Sequence, residues 1–268
     1  MDIQGNQGTV DRNSIPTPSV LYKYHAFNKW TQDIFERDEV YFQSPDGFND
    51  PFDSKTPLTY VGSEEQRVIR LKDLWRQGPA RGEKEEDLHA QALDIVRRGS
   101  DVPLVLSTLA RSAERTRRRL GVFCMTSKRN DIVMWSHYAD AHKGFCLGFK
   151  TANPFFGRAN PVNYERDRPC LNLIMPLDPN DIDIADNLFA KSEEWQYEDE
   201  WRIVDHEKGP GIHQYPAEAL CEVILGCRIT PKNRHQIMQW YRARDLQPNI
   251  FWAEEKDREF GLDTISIS

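Results

Sequence analysis

The spacing of apolar residues changes period several times along the chain, and each change marks an expected element. Residues 20–25 alternate like a strand, with Lys23 and His25 on one face and Tyr22 and Tyr24 on the other. Residues 28–37 read as a helix, because Trp30, Ile34 and Phe35 fall at compatible spacing and Asn28 is a capping type. A strand at 39–43 ends in Ser44-Pro45-Asp46-Gly47, where Pro fixes φ and Gly tolerates positive φ. The stretch Phe48-Asn49-Asp50-Pro51-Phe52-Asp53 reads as an ordered loop. Residues 64–77, 83–98 and 103–120 are charged, heptad-like and poor in β-branched residues, so three helices are expected there. Strands are expected at 121–126, 144–150, 161–164, 220–225, 249–254 and 263–268. Helices are expected at 131–141, capped by Asp131, and at 231–245, with Thr230 as cap and Pro231 in the first turn. Residues 169–179 fit no single element, and 180–189 read as helix or loop. Strands scattered among helices without regular βαβ spacing predict an α+β fold with a mixed or antiparallel sheet. The expected layout is a flexible tail at 1–19 and one domain over 20–268, carrying a helical insertion at about 63–120.

Residues 195–204 hold the most distinctive pattern. Read as one strand, they sort into an apolar row of Trp195, Tyr197, Trp201 and Ile203, with Asp199 the odd member. The opposite row is Gln196, Glu198, Glu200 and Arg202. Two carboxylates followed by a guanidinium fit a solvated outer face, because charged residues are mostly exposed. They also fit a catalytic acid pair tuned by a neighbouring cation.

Composition narrows the class. A chain of 268 residues with 39% hydrophobic and 11% aromatic residues can bury a sizeable core without staples. No apolar run reaches the roughly 18 residues of a membrane helix, and residues 1–19 lack the charged and apolar regions of a secretory signal. The five cysteines form no CxxC pair, and most lie in apolar runs. They read as buried reduced thiols in a cytoplasmic protein without a membrane partner. A net charge of −7 argues against a general nucleic-acid binder, though not against a local basic groove. Arg111, Arg115, Arg117, Arg118 and Arg119 form such a basic stripe, which is either a solvated face or a phosphate-facing edge.

Few chemical motifs stand out. There is no Walker loop, no GxSxG and no metal-ligand spacing, and His206, His213 and His235 read as surface residues. Trp135, His137 and Tyr138 lie on one short helix, with Trp135 and Tyr138 sharing a face. They serve either as core or as an aromatic wall for a planar ligand. Asn49 and Asp50 either brace their loop through Asx-turns or contact a ligand.

The segments Leu21-Tyr22-Lys23-Tyr24-His25, Phe42 to Asp53, Met134 to Asp140, Gly144 to Phe149 and Tyr197 to Arg202, in that order, resemble the bacterial domain of unknown function number 2971. Members of that family usually carry Arg where this chain has His25. A second resemblance, to ADP-ribosyltransferases, rests on His25, then Tyr41 and Ser44, then Glu198-Asp199-Glu200, although the Ser-Thr-Ser run of that fold is missing. It implies a sheet core like that of ADP-ribosyltransferases, with NAD as substrate and a protein or nucleic acid as acceptor, or NAD hydrolysis. By analogy it also implies a toxin or phage-defence role. The chemistry passes through an oxocarbenium-like state, which a carboxylate on the ribose 2′-hydroxyl stabilises. The resemblance assigns that role to Glu200 and proton acceptance to Glu198. Lys23, His25 and Arg202 would hold ribose and phosphates, Trp135 or Tyr138 would stack on a ring, and Tyr41, Ser44, Asn49, Asp50 and His137 complete the candidate NAD-binding set. One rival is a metal-dependent nuclease or hydrolase using Asp50, Asp53, Glu198 and Glu200 on Mg²⁺. Another is a nucleotide-sensing or protein-binding module without turnover.

Overall fold

The computed structural model describes residues 15–78, 82–174 and 187–267. Residues 1–14 of the expected tail, and 175–186 of the ambiguous stretch, lie outside the described residues. Strand β1 (Val20–His25) leads to helix α1 (Thr31–Glu36), β2 (Glu39–Phe42) and β3 (Leu58–Thr59). Helices α2 (Glu64–Arg76), α3 (Glu85–Arg97) and α4 (Asp101–Arg118) follow. Next come β4 (Gly121–Thr126), α5 (Ile132–Tyr138), β5 (Phe145–Lys150), β6 (Asn160–Pro161), β7 (Asn163–Glu165), β8 (Leu171–Asn172) and β9 (Ala190–Ser192). The order closes with β10 (Glu200–Asp205), β11 (Gly211–Gln214), β12 (Leu220–Leu225), α6 (Pro231–Ala243), β13 (Asn249–Glu255) and β14 (Leu262–Ser266). The fold is α+β with a large mixed sheet, and the chain divides into two compact units. The first holds the described residues up to Ser44, Leu120–Tyr164 and those from Glu193 onward; the second holds Pro45–Arg119 and the described part of Glu165–Ser192.

The first unit is built on an eight-stranded sheet in the order β14-β13-β12-β5-β1-β4-β10-β6. Its pairs are antiparallel except β12–β13, whose parallel run needs the crossover that α6 supplies. Thr230 caps α6 by accepting from the Asn233 amide, and Pro231 sits in the first turn, where its missing N–H costs nothing. One sheet face packs Phe123, Phe145, Phe149, Trp201 and Ile203 against Phe35 of α1 and Trp240 of α6. The other packs Tyr22, Tyr24, Cys146 and Ile224 against Met134 and Trp135 of α5. Each fully buried large side chain contributes roughly 1.5–3 kcal/mol, so both faces hold their helices. The ladder is uneven: β1 and β5 pair from Val20↔Lys150 to His25↔Phe145, whereas β1 and β4 meet only at Tyr22↔Thr126. Toward His25 the two strands are unpaired. Gly144 carries no side chain because a Cβ there would lie 2.0 Å from the His25 carbonyl oxygen.

In the second unit, Ser63 and Gln66 form a capping box on α2. Helices α2, α3 and α4 bury Val68, Leu71, Ala92, Val96 and Val105 together with Tyr60 and Leu173. Buried Arg70 donates to the Leu173 carbonyl at 2.9 Å. The basic stripe of α4 is partly consumed internally: Arg117 is buried and pairs with Asp46 and Glu114. It is therefore neither a solvated face nor a phosphate edge at that position.

Other expectations need correction. His213 is buried, stacked 3.9 Å from the Phe42 ring, with Nε2 2.9 Å from the Gly209 carbonyl oxygen. The antiparallel ribbon of β2 and β11, which pairs Phe42 with Gly211 and Tyr41 with Ile212, brings it there. Cys170 is exposed, while Cys146 is buried. The helix of α5 stops at Tyr138 rather than 141, because Asp140, Ala141 and His142 take left-handed φ of 48°, 51° and 69°. Among the described residues no helix is long and apolar enough to cross a membrane.

Candidate active site

Residues 195–204 do not form one strand. Glu193–Glu198 winds into a 3₁₀ turn, Asp199 takes a φ of 44°, and only then does β10 begin at Glu200. Contacts from β4 fix this break: the Thr126 hydroxyl donates to the Glu198 carbonyl at 2.5 Å, and the Ser127 hydroxyl donates to the Asp199 carboxylate. Glu198 and Glu200 are therefore not successive positions of one pleated row. Trp195 and Tyr197 likewise leave the apolar row, which Trp201 and Ile203 alone supply.

Within β10 the alternation holds. Trp201 and Ile203 enter the main core, and Glu200 and Arg202 point to the opposite face, beside Cys124 and Thr126 of β4 in register. The acid and the guanidinium are 5% and 1% exposed, so the solvated-face reading fails. They form a bidentate pair, with Arg202 Nε donating to Oε1 at 2.7 Å and Nη2 donating to Oε2 at 3.0 Å. The guanidinium takes two of the lone-pair sites of the carboxylate, and the Cys124 thiol also hydrogen-bonds to Glu200. Burial pushes the neighbouring Cys124 thiol well above its ordinary range, and the Glu200 charge adds to it. That thiol is not a nucleophile.

Glu198 is also buried, and the Tyr138 hydroxyl of α5 donates to its carboxylate. Asp131 caps α5 by accepting from the amides of Val133 and Met134, which sets the helix over this face. Around Glu198 runs an aromatic group. The His137 ring is 6.2 Å from Tyr138 and 6.3 Å from Tyr197, and Tyr197 is 6.0 Å from Trp195. His137 is exposed, and Tyr138, Tyr197 and Trp195 are half-buried.

The other expected site residues scatter. Trp135 is fully buried; its indole N–H donates to Asn130, and its ring meets Tyr24 edge-on and His142 face-on. It is core, with no face for a ligand. Lys23 stands over the Phe123 ring at 5.2 Å, and His25 stacks on Phe145 at 5.3 Å. Both therefore project to the sheet face opposite Glu200 and Arg202. The Lys23 charge is still felt by Cys124, where β1 and β4 separate. Burial, and then Lys23, lower the His25 imidazole to about 3, and its Nε2 has no partner among the described residues. Tyr41 is 60% exposed on the β2–β11 ribbon, and Ser44 ends the same segment of the first unit. Asn49 and Asp50 belong to the second unit. Among the described residues no three His, Cys, Asp or Glu side chains gather as a metal site.

Sequence reasoning missed Thr126, Ser127, Cys124 and Tyr164, whose hydroxyl accepts from the Glu200 amide at 2.8 Å. No local signal marks them, because Thr126 and Ser127 lie 72 residues from their partners.

No curated protein and no solved structure matches the chain. Residues 134–203, which carry Tyr138, Glu198, Glu200 and Arg202, match the family described as Protein of unknown function (DUF2971).

Proposed function

We propose that the first unit is an ADP-ribosyltransferase-like enzyme that cleaves NAD at the face of Glu198 and Glu200, passing ADP-ribose to a macromolecule or to water. The observation that carries this reading is two carboxylates withdrawn from water, with a group of partly exposed aromatic rings around Glu198. Arg202 holds the Glu200 carboxylate in one orientation, which suits hydrogen bonding to a ribose 2′-hydroxyl as positive charge develops at C1′. Nicotinamide leaves with the bonding pair, the acceptor oxygen or nitrogen attacks C1′, and Glu198 takes the acceptor's proton. The nicotinamide ring would rest on Tyr197 or Tyr138, not on Trp135.

The test is incubation with NAD and chromatography for free nicotinamide, with Glu200→Gln and Glu198→Gln beside the parent chain. Glu200→Gln is expected to stop nicotinamide release, and Glu198→Gln to impair transfer more than hydrolysis. Full turnover by Glu200→Gln refutes the assignment.

The bidentate chelation also favours a second reading, in which Glu200 and Arg202 are a structural pair in a nucleotide-sensing module. Calorimetric NAD binding with no nicotinamide release selects it.

A further inference from the structure

The second unit contains a cavity of about 220 Å³ that the NAD reading does not use. Its walls come from the loop after Pro45, from residues 165–169 and from β9 with the residues before it. Asp50 is 7% exposed there. Its Oδ1 accepts from the Phe52 amide at 2.8 Å, an Asx-turn that fixes the carboxylate. Oδ2 accepts from nothing among the described residues, so a largely buried residue of the cavity wall keeps an accessible acceptor with hydrogen-bonding capacity unspent. Ser54, in the same wall, holds a φ of 54°, a strained value of the sort that collects at ligand sites.

The rim carries both signs, with exposed Asp167 and half-buried Glu165 beside three cations, and Asp53 and Lys191 are buried in the wall. Lys55, Arg166 and Arg168 are exposed on the rim. The Lys55 ammonium and the Arg166 guanidinium have no ion pair or hydrogen bond among the described residues. Arg168 donates to the Lys55 carbonyl and lies over the Phe52 ring at 5.3 Å, and Phe52 is 60% exposed. One ring face is thus backed by a cation, and the ring is otherwise open.

An acceptor of Asp50 without a donor, two exposed cations without an ion pair and a rim aromatic select among ligands. A dianion with no hydroxyl would meet Asp50 unfavourably. A molecule with a phosphate at one place, hydroxyl donors at another and a planar ring at a third satisfies all three. Sites that enclose a drug-sized ligand run to roughly 300–1,000 Å³, so this smaller cavity takes only the sugar and phosphate and leaves the ring at the mouth. We propose that this cavity binds a nucleoside phosphate, its phosphate between Lys55, Arg166 and Arg168, its base on Phe52 and a ribose hydroxyl donating to Asp50 Oδ2. A free mononucleotide and the 5′ end of a single strand share this chemistry.

The test is calorimetry on the full chain with AMP, adenosine and a short 5′-phosphorylated RNA. AMP is expected to bind, and adenosine, lacking the phosphate, to bind on the order of tenfold or more weakly. Arg166→Glu, an exposed position that does not threaten folding, is expected to weaken AMP by a similar factor. Asp50→Asn keeps an acceptor for the Phe52 amide but replaces the free acceptor by a donor, and it too is expected to weaken AMP. Tighter binding of the RNA than of AMP identifies a strand end as the occupant; the reverse identifies the free nucleotide. Glu200→Gln, which tests the NAD reading, is expected to leave AMP affinity unchanged. Absence of AMP and RNA binding at millimolar concentration, or equal binding by the parent, Arg166→Glu and Asp50→Asn, overturns the proposal.

Discussion

Replacing Arg202 with Met removes the guanidinium and keeps a side chain of comparable length in the core of the first unit. The two hydrogen bonds of 2.7 and 3.0 Å lie where both partners are almost wholly screened from water. At about 3 Å and an effective dielectric of roughly 20, the Coulomb attraction is about 5–6 kcal/mol. Desolvation has already offset part of it, and breaking a buried pair by removing one partner costs about 3–5 kcal/mol. Arg202→Met is therefore expected to lose about 3–5 kcal/mol in equilibrium urea unfolding. The seven tryptophans of the chain, among them Trp201 in the same strand and in the core, provide the fluorescence signal. An unchanged m-value would show that the loss lies in the folded state's interactions and not in compactness. The double variant Glu200→Met with Arg202→Met removes both charges of the pair. It is expected to recover most of the loss, so the two sites are coupled, not additive. A loss below about 1 kcal/mol in Arg202→Met, or a double variant worse than either single one, would refute the view that the pair is buried and mutually dependent.

Three further outcomes follow from the geometry. Tyr138→Phe removes the hydroxyl that donates to the buried Glu198 carboxylate and is expected to lower stability by about 1–3 kcal/mol, read as a shift in the urea midpoint; an unchanged midpoint would place Glu198 in water. Ala141→Gly relieves one of three consecutive left-handed residues and is expected to stabilise by roughly 0.5–1 kcal/mol in thermal melts, and destabilisation would show that the Ala141 methyl packs usefully. His25 is held neutral, its imidazole lowered from 6.5 to about 3, so the unfolded chain binds the extra proton in that window. Its contribution is complete above pH 6.5 and is lost as pH falls toward 3, and His25→Phe should flatten that part of the stability profile; parallel profiles would show an exposed imidazole.

The helices and most strands were legible because their signals are local. Helices α2, α3 and α4 announce themselves through heptad-like spacing, and α6 through Thr230 and Pro231. A periodic stripe or a cap needs only neighbours three or four residues away, so it survives in any tertiary setting. The row that joins Glu200 to Arg202 was also readable, since the two are two residues apart on one strand, although Glu198 does not belong to it. Whether that row met water was not, because alternation reports which residues share a face and not what covers the face. The covering comes from β4 in register and from Tyr138 on α5, far along the chain. The same distance hid the turn at Asp199, which hydroxyls from Thr126 and Ser127 hold in place, and the burial of His213, which the β2–β11 pairing brings onto Phe42. Lys23 and His25 lie in the strand anticipated for them, yet the order of strands sets that face against the core on the side away from Glu200. Local periodicity follows from backbone geometry within a few residues, whereas burial, ion pairing and the neighbours of a carboxylate follow from which distant segments the sheet places side by side.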